Sequence, residues 1–181
     1  MPPTALPSLS LILGGAASGK SAFAEGLVLG SGLDPVYVAT SQALDAEMRN
    51  KIFRHQTLRG DRWQTVEAPF DLSPAIAGAR HGQALLIDCL TMWLTNHLLA
   101  EHDLPARIQD LLADLDRARV PVVLVSNEVG HGIVPENALA RRFREAQGRL
   151  NQAIAAQADL AVAVMAGLPL VLKGTLPEAA A

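Results

Sequence analysis

Short apolar runs alternate with longer stretches of helical periodicity along this chain. The runs Leu9–Leu13, Val36–Ala39, Ala84–Ile87, Val120–Val125, Leu160–Val164 and Leu170–Leu172, with the more polar Gln64–Glu67, predict strands. Several are apolar at nearly every position, which suits strands covered on both faces, as in parallel sheets. Between them, Gly19–Leu29, Leu44–Leu58, Pro74–Ala79, Leu90–Glu101, Ala106–Ala118 and Asn137–Gln157 predict helices. Strand and helix in alternation predict an α/β domain: a mostly parallel central sheet flanked by helices. A single domain is expected over residues 9–174, with flexible tails at 1–8 and 175–181.

Composition narrows this picture. Half of the 181 residues are hydrophobic but only 4% are aromatic, so the core must be aliphatic. A net charge of −3 gives no support to a broad nucleic-acid surface. A single cysteine, Cys89, excludes an internal disulfide and a Cys-rich zinc site. Residues 1–8 hold two adjacent prolines and no basic segment, so no secretory leader is expected. No apolar run reaches the length of a membrane span. The expectation is a cytoplasmic protein.

The most informative local signal follows the first strand. Gly14, Gly15, Ala16, Ala17, Ser18, Gly19, Lys20 and Ser21 fit the phosphate-loop pattern G-x-x-x-x-G-K-[ST]. Glycine at the fixed positions opens backbone conformations in which successive N–H groups point inward and cradle phosphate oxygens. The helix that begins there adds the positive end of its dipole. Lys20 has the reach for β- and γ-phosphates, and the Ser21 hydroxyl suits Mg²⁺.

In such sheets ligands sit beyond the carboxyl ends of the strands, so residues that follow strands are the next candidates. Asp88 is one: it either holds Mg²⁺ or caps the helix that starts near Leu90. Glu128 is another, either polarising a hydroxyl or a water, or serving as a structural acid beside a glycine turn. In the helix predicted after the second strand, Met48, Ile52, His55 and Arg59 share one stripe. Spacing alone makes His55 a solvated or capping residue, although a neutral imidazole needs no base to act as a nucleophile near neutral pH. His81, His97 and His102 lack metal-ligand spacing and read as surface or capping residues. Trp93 and Leu94 read as helix core, and Cys89 as a small buried group. Arg141, Arg142 and Arg144 read as a solvated face or as phosphate ligands across a subunit boundary.

Taken together, several blocks resemble one family. They are Gly14 through Ser21, Tyr37-Val38-Ala39-Thr40-Ser41-Gln42, Asp45-Ala46-Glu47-Met48 through His55, and Asn127-Glu128-Val129-Gly130 through Val134-Pro135-Glu136-Asn137. Arg141, Phe143, Arg144, Gly148, Arg149, Asn151 and Gln152 follow in the next helix. The chain resembles the bifunctional adenosylcobinamide kinase / adenosylcobinamide-phosphate guanylyltransferases of cobalamin biosynthesis, from about Leu9 to Gly174. The resemblance implies a RecA-like phosphate-loop domain, a homotrimer, and two reactions. ATP or GTP phosphorylates the aminopropanol hydroxyl of adenosylcobinamide, a corrinoid; GMP then passes from GTP to that phosphate, with release of pyrophosphate. It implies that His55 carries GMP covalently. It extends nucleotide contacts to Gly14–Ser21, to Ala39, Thr40 and Ser41, to Gln56, Thr57, Leu58 and Arg59, and to Glu67 and Asp88, with Mg²⁺ near Ser21 and Asp88. Two departures stand out: Ala17 where relatives often carry Arg, and His131 in place of Met. A plain phosphate-loop kinase without a covalent step, or a nucleotide-gated interaction module, are the rival expectations.

Overall fold

The computed structural model describes residues 5–42 and 62–177. Its elements are β1 (Leu9–Gly14), α1 (Lys20–Gly30), β2 (Asp34–Ala39), β3 (Gln64–Glu67), α2 (Ser73–Gly78), β4 (Gln83–Asp88), α3 (Leu90–Leu99), α4 (Leu104–Asp116), β5 (Val122–Asn127), α5 (Ala138–Gln157), β6 (Leu160–Met165) and β7 (Leu168–Lys173). The helix expected over Leu44–Leu58, and with it His55, Gln56, Thr57, Leu58 and Arg59, lies outside the described residues. Every other predicted strand and helix is present.

The strands form one sheet in the order β3-β2-β4-β5-β1-β6-β7. All neighbours run parallel except β6 and β7. That last pair is a hairpin closed by Ala166 and Gly167, at φ 51° and 79°. Two successive positive φ values match the right-handed twist of the flanking strands, which is why so short a turn is possible.

The mostly parallel sheet is buried on both faces, and side-chain alternation sorts the strands into two cores. Leu9, Leu11, Val36, Val38, Leu85, Ile87, Val122 and Leu124 pack with Ile76, Trp93, Leu94, Leu111, Leu115, Leu150 and Ile154, drawn from α2 to α5. Ile12, Tyr37, Leu86, Val123, Val125 and Val162 point the other way, against Ala24, Leu27 and Val28 of α1 and Trp63. Each fully buried aliphatic side chain contributes about 1.5–3 kcal/mol relative to exposure. No helix among the described residues is long and apolar enough to cross a membrane.

Two polar clusters interrupt the apolar core. Between β5 and α5, Ser126 Oγ donates to Asn151 Oδ1 at 2.6 Å, and Gln147 Nε2 donates to Ser126 Oγ and Asn151 Oδ1 at 2.9 and 3.0 Å. Asn151 Nδ2 reaches on to the carbonyl of Asn127 at 3.1 Å. The second cluster corrects an expectation. His81 and His102 are exposed, but His97 is only 3% exposed. Its Nε2 lies 3.1 Å from the carbonyl of Phe70 and its Nδ1 lies 2.8 Å from Nδ1 of His102. A carbonyl only accepts, so His97 is protonated on Nε2, accepts on Nδ1, and His102 donates. The ring is held in by Phe70 and Trp93, whose centroids lie 5.4 and 4.6 Å away.

Burial holds the pKa of His97 below the ordinary histidine value, and the nearby His102 and Arg107 charges act in the same direction against the bond to Phe70. A depressed histidine pKa means the unfolded chain binds the proton first as pH falls. Stability from this site is therefore complete above about pH 6.5 and declines as pH drops through that value. The urea midpoint should fall between pH 7.5 and 5.5, and His97→Gln should flatten that dependence. An unchanged slope in the variant would show that His97 is not the titrating group.

Candidate active site

The carboxyl ends of β3, β2, β4, β5 and β1 line up along one rim of the sheet. Register places Ala39 beside both Glu67 and Asp88, and Gly14 beside Asn127. From edge to centre the rim reads Glu67, then Ala39-Thr40-Ser41, then Asp88, then Asn127-Glu128, then the glycine loop. One strand, β5, separates the strand of Asp88 from that of the loop, a distance of about 10 Å across two strand spacings.

The loop from Gly14 to Ser21 is built for close approach. A Cβ on Gly14 would fall on Ser18 Oγ and within 2.7 Å of the carbonyl of Val164. Gly19 stands at φ 94°, where a side chain is strained, and a Cβ there would lie 3.1 Å from the Cα of Gly167. Ala17 also holds a positive φ, 54°. Gly19 caps α1 without any side-chain hydrogen bond, and no acidic residue occupies the first turn. The start of α1 thus carries no capping side chain from Gly19 and no first-turn acid, which suits anion binding at a helix start. Lys20 Nζ donates to the carbonyl of Gly15 at 3.0 Å. Ser18 Oγ is buried with no partner among the described residues.

The loop is braced on both sides. Glu128 donates its N–H to the carbonyl of Gly14 at 3.1 Å, and Gly167 donates to that of Ser18 at 2.8 Å. One brace comes from β5, the other from the β6–β7 turn.

Further along the rim, Thr40 ties β2 to β4. Its hydroxyl donates to the carbonyl of Cys89 at 2.7 Å and accepts the N–H of Cys89 at 2.8 Å. Asn96 Nδ2 donates to the carbonyls of Thr40 and Pro69, both at 2.8 Å. The Thr40 hydroxyl is therefore occupied in holding the turn, and Ser41 is the half-buried hydroxyl beside it. Asp88 is half-buried at the end of β4, and the N-cap of α3 is Cys89, without a side-chain bond. The capping alternative for Asp88 is thereby removed. Cys89 has its thiol pKa pushed up to about 11, by burial first and by the Asp88 charge second. It stays protonated at neutral pH and is no nucleophile.

After β5, Glu128 Oε1 accepts the N–H of Gly130 at 2.6 Å, and His131 Nε2 stands 4.0 Å from the same oxygen. The following loop is shaped by two of the arginines. Arg144 Nη1 donates to the carbonyls of Gly132 and Ile133 at 3.0 and 3.2 Å, and Arg141 Nη1 donates to the carbonyl of Pro135 at 2.9 Å. Those cations organise backbone rather than forming a bare solvated face. They leave Ile133 95% exposed at the tip. Glu67, by contrast, is exposed at the far edge on β3.

The supporting layer was less visible beforehand. Thr91 Oγ1 accepts the N–H of Asn127 at 2.8 Å, and the Ser126–Gln147–Asn151 cluster holds the other side of the same strand end. Its one sequence sign is Gln147 and Asn151 at i and i+4 among the apolar residues Phe143, Leu150 and Ile154. Among the described residues no group of three or more His, Cys, Asp or Glu is placed to hold a metal by itself.

Comparison with known proteins agrees with this geometry. A family model described as "Cobinamide kinase / cobinamide phosphate guanyltransferase" matches residues 10–172. A Pseudomonas aeruginosa protein, "Bifunctional adenosylcobalamin biosynthesis protein CobP", is 46% identical, with 91% of this chain and 96% of that protein covered. The Salmonella typhimurium "Bifunctional adenosylcobalamin biosynthesis protein CobU" is 41% identical, covering 90% of this chain and 98% of the relative. Among solved structures, a type III secretion ATPase from pathogenic bacteria superposes with TM-score 0.54 at 11% identity, over 92% of this chain and 57% of that one. That likeness speaks to the fold alone, a RecA-like phosphate-loop domain. With the loop in place, the family model matched over residues 10–172, and 46% and 41% identity along nearly the whole of two relatives, the chain belongs to the cobinamide kinase / cobinamide phosphate guanyltransferase family.

Proposed function

We propose that both reactions of the family run in the cleft above the glycine loop, joined by a guanylyl-histidine on His55. The observation that carries this reading is the braced loop itself: a helix start without a side-chain cap, Lys20 folded onto Gly15, and a buried Ser18 hydroxyl with no partner among the described residues. It is a cradle that a side chain at Gly14 would fill. The nucleotide contacts extend in this proposal along the rim to Ala39, Thr40, Ser41, Glu67 and Asp88, and to Gln56, Thr57, Leu58 and Arg59 beside the histidine.

A hydroxyl and a carboxylate, from Ser21 and Asp88, are hard oxygen donors of the kind Mg²⁺ prefers when phosphates complete its shell. Bound there, Mg²⁺ would supply charge neutralisation on the triphosphate. The chain's own contribution is positioning and electrostatics. Lys20 and the N–H groups opening α1 stabilise charge that builds on the leaving phosphates. In the kinase step the corrinoid hydroxyl attacks the γ-phosphorus of ATP or GTP, and a nucleoside diphosphate leaves. In the transfer step His55 attacks the α-phosphorus of GTP and pyrophosphate leaves. The corrinoid phosphate then attacks the phosphoramidate phosphorus and frees the imidazole, giving adenosylcobinamide-GDP.

We also propose a homotrimeric, cytoplasmic enzyme, where nucleoside triphosphates are supplied. Support for self-association comes from β7, an edge strand with Leu168, Leu170 and Leu172 exposed, next to exposed Met165. Pro169 and Lys173 guard the hydrogen-bonding edge of this strand, so it is the exposed leucine face that invites a partner.

Three measurements test this reading. His55→Ala incubated with GTP labelled in the α-phosphate should bind no acid-labile label, while its kinase activity stays within a few-fold. Label retained by the variant would exclude His55 as the carrier. Lys20→Ala should lower both activities by about 10²-fold or more, the size of one lost transition-state donor. Leu170→Lys should shift the sedimenting species from trimer toward monomer; a trimer of unchanged strength would place the interface elsewhere.

A further inference from the structure

The two reactions differ in one chemical demand. In guanylyl transfer the first nucleophile is a neutral imidazole and the second is a phosphate monoester, whose second pKa near 6 leaves it anionic at neutral pH. Neither needs a base. In the kinase step the nucleophile is an alcohol, which must lose its proton as it attacks. A residue that accepts this proton serves one half of the chemistry only.

We propose that Glu128 is that residue: the catalytic base for the acceptor hydroxyl in phosphoryl transfer. The inference rests on the reading that both reactions share the cleft above the glycine loop.

Three carboxylates stand on the rim among the described residues, and their places differ. Glu67 lies on the edge strand, four strands from β1. Asp88 ends the strand two places from β1 and is suited to the cation. Glu128 directly follows β5, the neighbour of the loop strand, and its own N–H is bonded to Gly14. Its backbone is therefore tethered directly to the phosphate loop. The side chain remains 35% exposed, so a substrate can reach it. Oε1 is steadied by the N–H of Gly130, while Oε2 accepts no hydrogen bond from the described residues. A fixed carboxylate with one open oxygen is what a base needs: orientation by one atom, proton acceptance by the other. Gly130 suits this arrangement, since a Cβ there would press on Oε1 at 2.7 Å. Beyond it, the loop tip at Ile133 and Val134 is exposed apolar surface, with room for a large ring-bearing acceptor.

The step balances simply. The alcohol oxygen forms a bond to the γ-phosphorus while the bond to the bridging oxygen breaks. The hydroxyl proton passes to Glu128 Oε2, and the nucleoside diphosphate leaves with the electron pair. Solvent exposure of the side chain returns the proton to water.

Glu128→Gln is the discriminating variant. Glutamine keeps an oxygen acceptor for the Gly130 N–H, so a merely structural role would survive it. Loss of a general base typically costs 10²–10⁴-fold. The kinase kcat should fall at least about 100-fold with KM for nucleotide and corrinoid within about threefold. Guanylyl transfer, assayed with preformed adenosylcobinamide phosphate, should stay within about threefold of the parent, and Glu128→Asp should recover part of the kinase rate. Retained kinase activity in Glu128→Gln overturns the proposal, as does an equal loss of both reactions. His131→Gln, tested alongside, should keep its kinase rate; a selective kinase loss there instead would move the role to His131. Should the parent enzyme itself form no guanylylated corrinoid, the shared-cleft reading fails, separately from the assignment of Glu128.

Discussion

A parallel sheet clad on both faces can present its ligands only at a rim, and this constraint governs the molecule. Helices cover Leu11, Val38, Ile87 and Leu124 on one side and Ile12, Leu86 and Val125 on the other. Neither face is left for chemistry. Because six consecutive strands of the order run the same way, their carboxyl ends gather side by side. The residues that leave those ends are polar and close together without being near in sequence. Glu67, Thr40, Asp88, Glu128 and Gly14 span much of the chain yet form one row.

Much of this was readable from the linear order of residues. Runs such as Val122-Val123-Leu124-Val125 have no polar face, so they announced strands buried twice over. The glycine loop was legible because its function is carried by backbone within eight consecutive residues. Asp88 and Glu128 were visible as charged residues at the close of apolar runs. The capping alternative for Asp88 stood open until the N-cap of the helix beside it proved to be Cys89, without a side-chain bond.

What stayed hidden depends on partners distant in sequence. His97 looks like an ordinary helical histidine until Phe70, 27 residues earlier, supplies the carbonyl that holds its ring inside. Gln147 and Asn151 look solvated until Ser126, on a strand more than 20 residues away, is seen to bond to both. Thr40 suggested a ligand contact, but its hydroxyl closes a pair of bonds with Cys89. Buried polar groups of this kind are costly when unpaired and cheap when satisfied. Residue type alone does not reveal which case holds. The antiparallel turn into β7 was equally obscure, since Leu170-Leu172 reads the same in either direction.

The bond from Gly167 to Ser18 has a consequence of its own. It ties the tip of the outermost hairpin to the backbone that would surround the phosphates. A neighbour settling on β7 and a nucleotide settling in the loop would thus act on opposite ends of one short mechanical link. Each would restrict motion that the other must also restrict, so ordering by the first lightens the entropic cost of the second. Assembly and substrate affinity would then be reciprocal properties of the same chain rather than separate ones.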